Sequence, residues 1–189
     1  MTLRMQCWLF AIGAAFFAVG TAPGFALVAS ATATNVLCFI GSWFFTSAAY
    51  IQMQLSTERV DRWASETQFV GTVLFNISTG AAVWAHRVPT ERRLVWTPDA
   101  FGSVLFLVSS VLAILAVIRL ASRSSTDWQG AWINMAGSLA FGASAVGAFV
   151  FKNGVTADEF VANTGTFIGA LCFMVAALLV LPRHSGAQG

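Results

Sequence analysis

No charged residue occurs between Arg4 and Glu58. Four further uncharged stretches follow, at 67–85, 100–118, 128–151 and 160–182. A helix needs about 20 mostly apolar residues to cross the hydrocarbon of a bilayer, and these stretches are about that long. Only 10% of the 189 residues are charged and 57% are hydrophobic, whereas soluble domains are nearer a quarter charged. Too little polar sequence remains to cover so apolar a chain in water. The pattern predicts an all-α integral membrane helical bundle with the lipid bilayer as its surroundings.

Six transmembrane helices fit, over about 5–22, 34–55, 66–85, 98–120, 127–151 and 157–181, as a single transmembrane domain over 1–189. Pro23-Gly24 breaks the chain after the first. Residues 25–33 read as an apolar connection, or as a helix kinked at Pro23 that continues to Ser30. Ser65-Glu66-Thr67-Gln68, Thr126-Asp127-Trp128-Gln129 and Thr156-Ala157-Asp158-Glu159 fit the reciprocal capping pattern at helix starts. Thr97-Pro98-Asp99 places Thr at an N-cap and Pro at the first helical position, and Asn153-Gly154 suits a turn. Trp63, Trp84, Trp96, Trp128 and Trp132 fall near predicted helix ends, as interfacial aromatic belts require. Arg4 followed by an apolar run and TAPGFA also fits a secretory leader, but GAAFF in the register of the later segments favours a retained helix.

A Gly followed four residues later by Phe recurs once in each predicted helix: GAAFF at 13–17, GSWFF at 41–45, GTVLF at 71–75, GSVLF at 102–106, GSLAF at 137–141 and GALCF at 169–173. With 16 Gly and 17 Phe in the chain, composition alone gives about one or two such pairs; seven occur, the extra one being Gly147–Phe151. Residues four and seven apart share a helix face. Seven beyond each Gly stand Gly20, Ala48, Ser78, Ser109, Ser144 and Ala176, all small. In lipid, close approach of small residues supplies the packing that the hydrophobic effect supplies in water. The stripe predicts a helix-packing seam of Gly13, Gly41, Gly71, Gly102, Gly137 and Gly169 with Phe17, Phe45, Phe75, Phe106, Phe141 and Phe173. A Phe of one helix fills the groove left by its neighbour's Gly.

Three residues before each Gly come Phe10, Cys38, Gln68, Asp99, Asn134 and Thr166. With Asn76, the last four form a candidate polar lining, because polar groups inside a span face the bundle interior or an aqueous cavity. Interhelical hydrogen bonding is the competing reading and the favoured one, with Asp99 complementing a positive helix N-terminus. Adjacent helices run in opposite directions, so the lining residues divide between two depths. Asn35 and Asn163 lie near helix starts.

Putting the N-terminus inside places Arg4, Arg59, Arg62, Arg119, Arg123 and Arg183 inside. Arg87, Arg92, Arg93 and Lys152 then fall outside, which is a weak positive-inside bias. Both termini are therefore expected to be cytoplasmic, in the plasma (inner) membrane of a bacterium. Nine Arg to one Lys and abundant Ala hint at a GC-rich genome. Arg92-Arg93 can touch anionic headgroups. Net charge of +2 gives no footing for nucleic acid. Cys7, Cys38 and Cys172 show neither metal-ligand nor disulfide spacing. No nucleophile, zinc or phosphate-loop motif occurs, so no catalytic residue, cofactor or metal is expected. An embedded enzyme would have only Asp99 and His86 for acid–base work.

The stretches NVLCFIGSWFFTSAAYIQ, QFVGTVLFNISTGAAVW, PDAFGSVLFLVSS and NMAGSLAFGASAV resemble small bacterial multi-span proteins, and their G-S-x-x-F core resembles the YrhK-like membrane domain. The resemblance covers roughly 35–180. It implies repeated spans and brings no activity or site residue. The sequence thus favours a structural or accessory, self-associating membrane component, as a homo-oligomer or with a membrane-protein partner. A conduit or carrier for a small, weakly polar solute is the alternative, and three-plus-three inverted repeats are open to it.

Overall fold

The computed structural model describes residues 1–85, 87–119 and 125–182. Six long helices carry the fold: α1 (Leu3–Thr21), α2 (Ala31–Leu55), α3 (Arg59–Ala82), α4 (Thr97–Arg119), α5 (Ser125–Gly147) and α6 (Glu159–Val180). Each packs on the next in the chain, and α6 returns to α1, so the six close into a ring. Among the described residues, β structure is confined to one antiparallel bridge, Val150 with Thr156. By length and composition, four helical segments can cross a membrane: Leu3–Thr21, Ala31–Leu55, Val88–Arg119 and Glu159–Val180.

Several local expectations are corrected. Helix α3 starts at Arg59, well before Ser65. Arg62 pairs with Glu66 at 3.0 Å and the Arg59 guanidinium lies 4.7 Å from the centre of the Trp63 ring. Such one-turn pairs support a helix, so residues 59–65, ahead of the expected start at 66, already belong to α3. Ser65 caps nothing: it is fully buried and donates to the Arg62 carbonyl at 2.9 Å. Asp158, not Thr156, caps α6, accepting from the Val161 amide at 2.9 Å. Residues 25–28 form a short helix with Leu27 and Val28 exposed, and α2 already begins at Ala31. His86, Arg123 and Arg183 lie outside the described residues.

Thr97-Pro98 does not start a helix either. Residues Val88–Thr90 are helical, and Glu91–Trp96 form a π-helix that runs into α4. Proline has no N–H, and its ring clashes with the carbonyl four residues back. A π turn moves that carbonyl away, and the Thr97 hydroxyl takes up the Arg92 carbonyl at 2.6 Å. Asp99 therefore sits inside a continuous helical segment and not at a free N-terminus.

Consecutive helices approach closely at three glycine pairs. A Cβ on Gly13 would lie 2.9 Å from the Gly41 carbonyl oxygen and 3.1 Å from the Phe45 ring; one on Gly41 would lie 2.8 Å from the Gly13 oxygen and 3.0 Å from the Phe17 ring. In α3/α4, a Cβ on Gly71 would meet Phe106 at 2.8 Å, and one on Gly102 would meet Phe75 at 2.7 Å. In α5/α6, one on Gly137 would meet Phe173 at 2.7 Å and one on Gly169 would meet Phe141 at 2.5 Å. Each glycine thus leaves the space occupied by the Phe of the facing helix.

The rings of Phe17, Phe45, Phe75, Phe106, Phe141 and Phe173 meet at the centre. Phe75 stacks on Phe106 with centroids 4.9 Å apart, Phe141 on Phe173 at 5.3 Å, and edge-to-face contacts of 5.6–6.3 Å join the rest. Elsewhere the interior is polar and small. The largest fully buried side chains are Thr72, Ser42, Ser65, Ser103, Ser109, Ser110 and Ser138. Val, Ile and Leu point outward from every long helix, among them Val19, Ile40, Ile77, Val111, Leu139 and Val175. Exposed aliphatic side chains around fully buried Ser and Thr depart from the burial order of water-soluble proteins.

Candidate functional site

The polar residues of the interior lie above and below the phenyl cluster. Alternate helices run in opposite directions, so residues just before the Gly of α3 and α5 come to one end and those before the Gly of α4 and α6 to the other. Gln68 and Asn134 line a cavity of about 170 Å³ at the end that holds the N-terminus of α1 and the C-terminus of α6. Asp99 and Thr166 line a cavity of about 470 Å³ at the loop end. Asn76 lines neither: its Nδ2 donates to Thr46 Oγ1 of α2 at 2.8 Å.

Three carboxamides join Asn134 around the smaller cavity: Gln6, Gln52 and Gln68. Gln6 and Gln52 escape a reading that stops one turn from the Gly–Phe pair. Gln6 is seven residues before Gly13 and Gln52 eleven after Gly41, so extending the same stripe one turn each way finds both. Ser109 donates to the Ala64 carbonyl at 2.8 Å and reaches Gln68 Oε1 at 3.3 Å. Asn134 donates to Ser110 at 2.9 Å, and Ser110 and Ser138 share a 2.7 Å bond. The Gln52 Oε1 is buried and has no donor among the described residues, so it is an acceptor available to solvent or solute in the cavity.

The loop-end cavity is larger and holds acidic side chains. Asp99 and Glu91 line it, with Thr21, Asn35, Thr166 and the ring of Trp96. No Lys or Arg is among its described lining residues. Thr166 and Ser144 share a 2.7 Å bond, and Ser144 also donates to the Ala162 carbonyl at 2.6 Å. Asn35 donates to the Ala82 carbonyl at 2.8 Å. Neither carboxylate has an ion pair or hydrogen bond with any described residue.

Trp96 lines this cavity. Its Nε1 donates to the Ala145 carbonyl at 2.9 Å, and its ring meets Phe149 edge-on at 4.9 Å. The reversal at 150–156 borders the mouth through Val150, Gly154 and Thr156. Gly154 has φ +84°, the turn conformation that glycine tolerates, and lies against Val88.

Between the cavities stands the phenyl layer. Phe17, Phe75 and Phe141 floor the larger one, and Phe45 and Phe173 close the smaller. The space left inside the layer is about 10 Å³, at the lower limit for one water molecule. Among the described residues no group of three potential metal ligands converges. No family model, curated protein or solved structure matches the chain.

Proposed function

We propose that the chain spans a membrane six times and forms a conduit or carrier for a small polar solute. In this reading the two cavities are vestibules on opposite faces and the phenyl layer is the barrier between them. The observation that carries this is the axial order: polar cavity, apolar layer, polar cavity. An apolar constriction between wet vestibules is a common way to gate a path. All six helices have 19–25 residues, about 29–37 Å at 1.5 Å per residue, which matches a bilayer core of about 30 Å. The outward Val, Ile and Leu of α3 and α5 support spans by those two less apolar helices as well. The repeated Gly–Phe pairs then build three antiparallel hairpins around one axis, and the YrhK-like resemblance belongs to the same proposal. Bacterial plasma membrane with both termini cytoplasmic puts the loop-end cavity outside.

The test is solute flux into vesicles holding the purified chain, using a panel of small polar non-electrolytes and organic cations. Asn134→Leu is expected to reduce flux and Asn76→Leu, away from both cavities, to leave it unchanged. Equal flux in protein-free vesicles overturns the conduit. A second reading, a self-associating accessory protein, is favoured by the tightness of the phenyl layer. Native mass spectrometry from mild detergent decides it: a reproducible partner protein supports the accessory role.

A further inference from the structure

We infer that the loop-end cavity binds a small organic ammonium ion, with Asp99 as counterion and the phenyl floor beneath its apolar part. This rests on the proposed conduit and names its solute class. Three features of the cavity converge. First, its described lining carries two carboxylates and no Lys or Arg. A carboxylate set in an interior built for lipid surroundings is costly unless something pairs it, and no described residue does so for Asp99.

Second, the backbone is adjusted to bring both carboxylates to one wall. From Glu91 to Asp99 is eight residues. In an unbroken α-helix they would stand about 80° apart around the axis. The π-helix over Glu91–Trp96 absorbs about one extra residue. The effective rotation falls to about 700°, within about 20° of two whole turns. Asp99 lies deep and Glu91 about 12 Å nearer the mouth at 1.5 Å per residue, so Glu91 is an outer station for an arriving cation.

Third, the remaining surfaces suit an ammonium with an apolar body. The Trp96 ring borders the cavity, and Phe17, Phe75 and Phe141 form its floor. Aromatic faces attract cations, and more strongly when water is displaced. Asp99 is seven residues before Phe106 of the phenyl layer, about 10 Å along the helix. That distance accommodates a charged head and one ring-sized group. The absence of three converging metal ligands among the described residues favours an organic cation over a bare metal ion.

The chain in zwitterionic nanodiscs is titrated calorimetrically with benzylammonium, benzyl alcohol and benzoate. Benzylammonium is expected to bind, and the other two to bind at least about tenfold more weakly, the loss that a charge-assisted contact implies. Asp99→Asn is expected to lose about tenfold in benzylammonium affinity, and Asp99→Glu to keep most of it. Glu91→Gln is expected to lose about twofold and mainly in association rate, as a mouth charge does. Benzoate or benzyl alcohol binding as tightly as benzylammonium overturns the proposal. So does full affinity in Asp99→Asn. If that variant does not assemble, the three-ligand comparison on the native chain and the Glu91→Gln rate still decide. Tight, charge-selective binding without benzylammonium flux into vesicles leaves this site standing and removes the conduit.

Discussion

The two ends of the bundle are built from the same stripe of positions yet differ in how their polar groups are satisfied. At the terminal end Gln68 and Asn134 bond to Ser109 and Ser110 on neighbouring helices. At the loop end Thr166 bonds to Ser144, but Asp99 and Glu91 have no protein partner among the described residues. Hydroxyls and carboxamides can serve as glue between helices, because each can find another like itself. A carboxylate only accepts, so it needs donors or a cation, and the described residues give neither to Asp99 or Glu91. The terminal end is thus mainly a packing surface with a small opening, and the loop end holds two carboxylates that no other described residue pairs.

The largest effect expected is one that destroys both ends together. A side chain at Gly41 runs into the Gly13 carbonyl at 2.8 Å and Phe16 Cβ at 3.0 Å, and only parting α1 from α2 relieves it. Gly41→Leu should exceed the usual overpacking range of about 1–3 kcal/mol, because the clash is with backbone, and should abolish the folded bundle. It should appear as loss of the monodisperse peak in detergent. Gly102→Leu meets the Phe75 ring first, with the Gly71 oxygen at 3.2 Å, and should cost less. Equal losses would show that backbone approach is not what sets the cost.

Joining the two ends is the next largest effect. Phe141→Ala removes a ring that touches Phe17, Phe75, Phe106 and Phe173. It should cost about 3–5 kcal/mol of stability if the hole stays empty, and less if water enters. Solute leak in vesicles should rise at the same time. A less stable bundle with unchanged leak breaks the claim that this layer separates the ends.

Smaller effects sharpen the contrast between glue and site. Asn134→Leu removes the bond to Ser110 and should cost about 0.6 kcal/mol, the average for such contacts in membranes, and at most about 1.7 kcal/mol. Thr166→Val should cost about 0.6 kcal/mol, because Ser144 retains the Ala162 carbonyl. Thermal shift in detergent reads both. A cost above about 2 kcal/mol for Thr166→Val would place it in a network wider than this pair.

Much of the architecture was legible because membrane helices announce themselves by length and small-residue spacing. The ends at Thr21, Leu55 and Val180 fall within a residue of the expected ones. The division of Gln68 and Asn134 from Asp99 and Thr166 follows from alternating helix direction alone. The start of α3 was not legible: polarity puts Arg59, Asp61 and Arg62 outside a span that begins near 66, whereas charged residues one turn apart extend a helix into water. Nor was Glu91. Its partnership with Asp99 depends on a π turn, and nothing in the residues 91–96 distinguishes that from an α turn except Pro98 downstream. The convergence of six phenyl rings is a property of the closed ring of helices, which one stripe taken by itself does not contain.

The most direct test of the account uses sidedness. Cys7, Cys38 and Cys172 are replaced, and single cysteines are introduced as Asn134→Cys in the smaller cavity and Thr166→Cys in the larger. Oriented vesicles are then treated with a membrane-impermeant thiol reagent from one side at a time. Labelling of each position from one face only, and from opposite faces, is the predicted result. Labelling of both from the same face, or of either from both faces, would contradict two vestibules separated by a phenyl barrier.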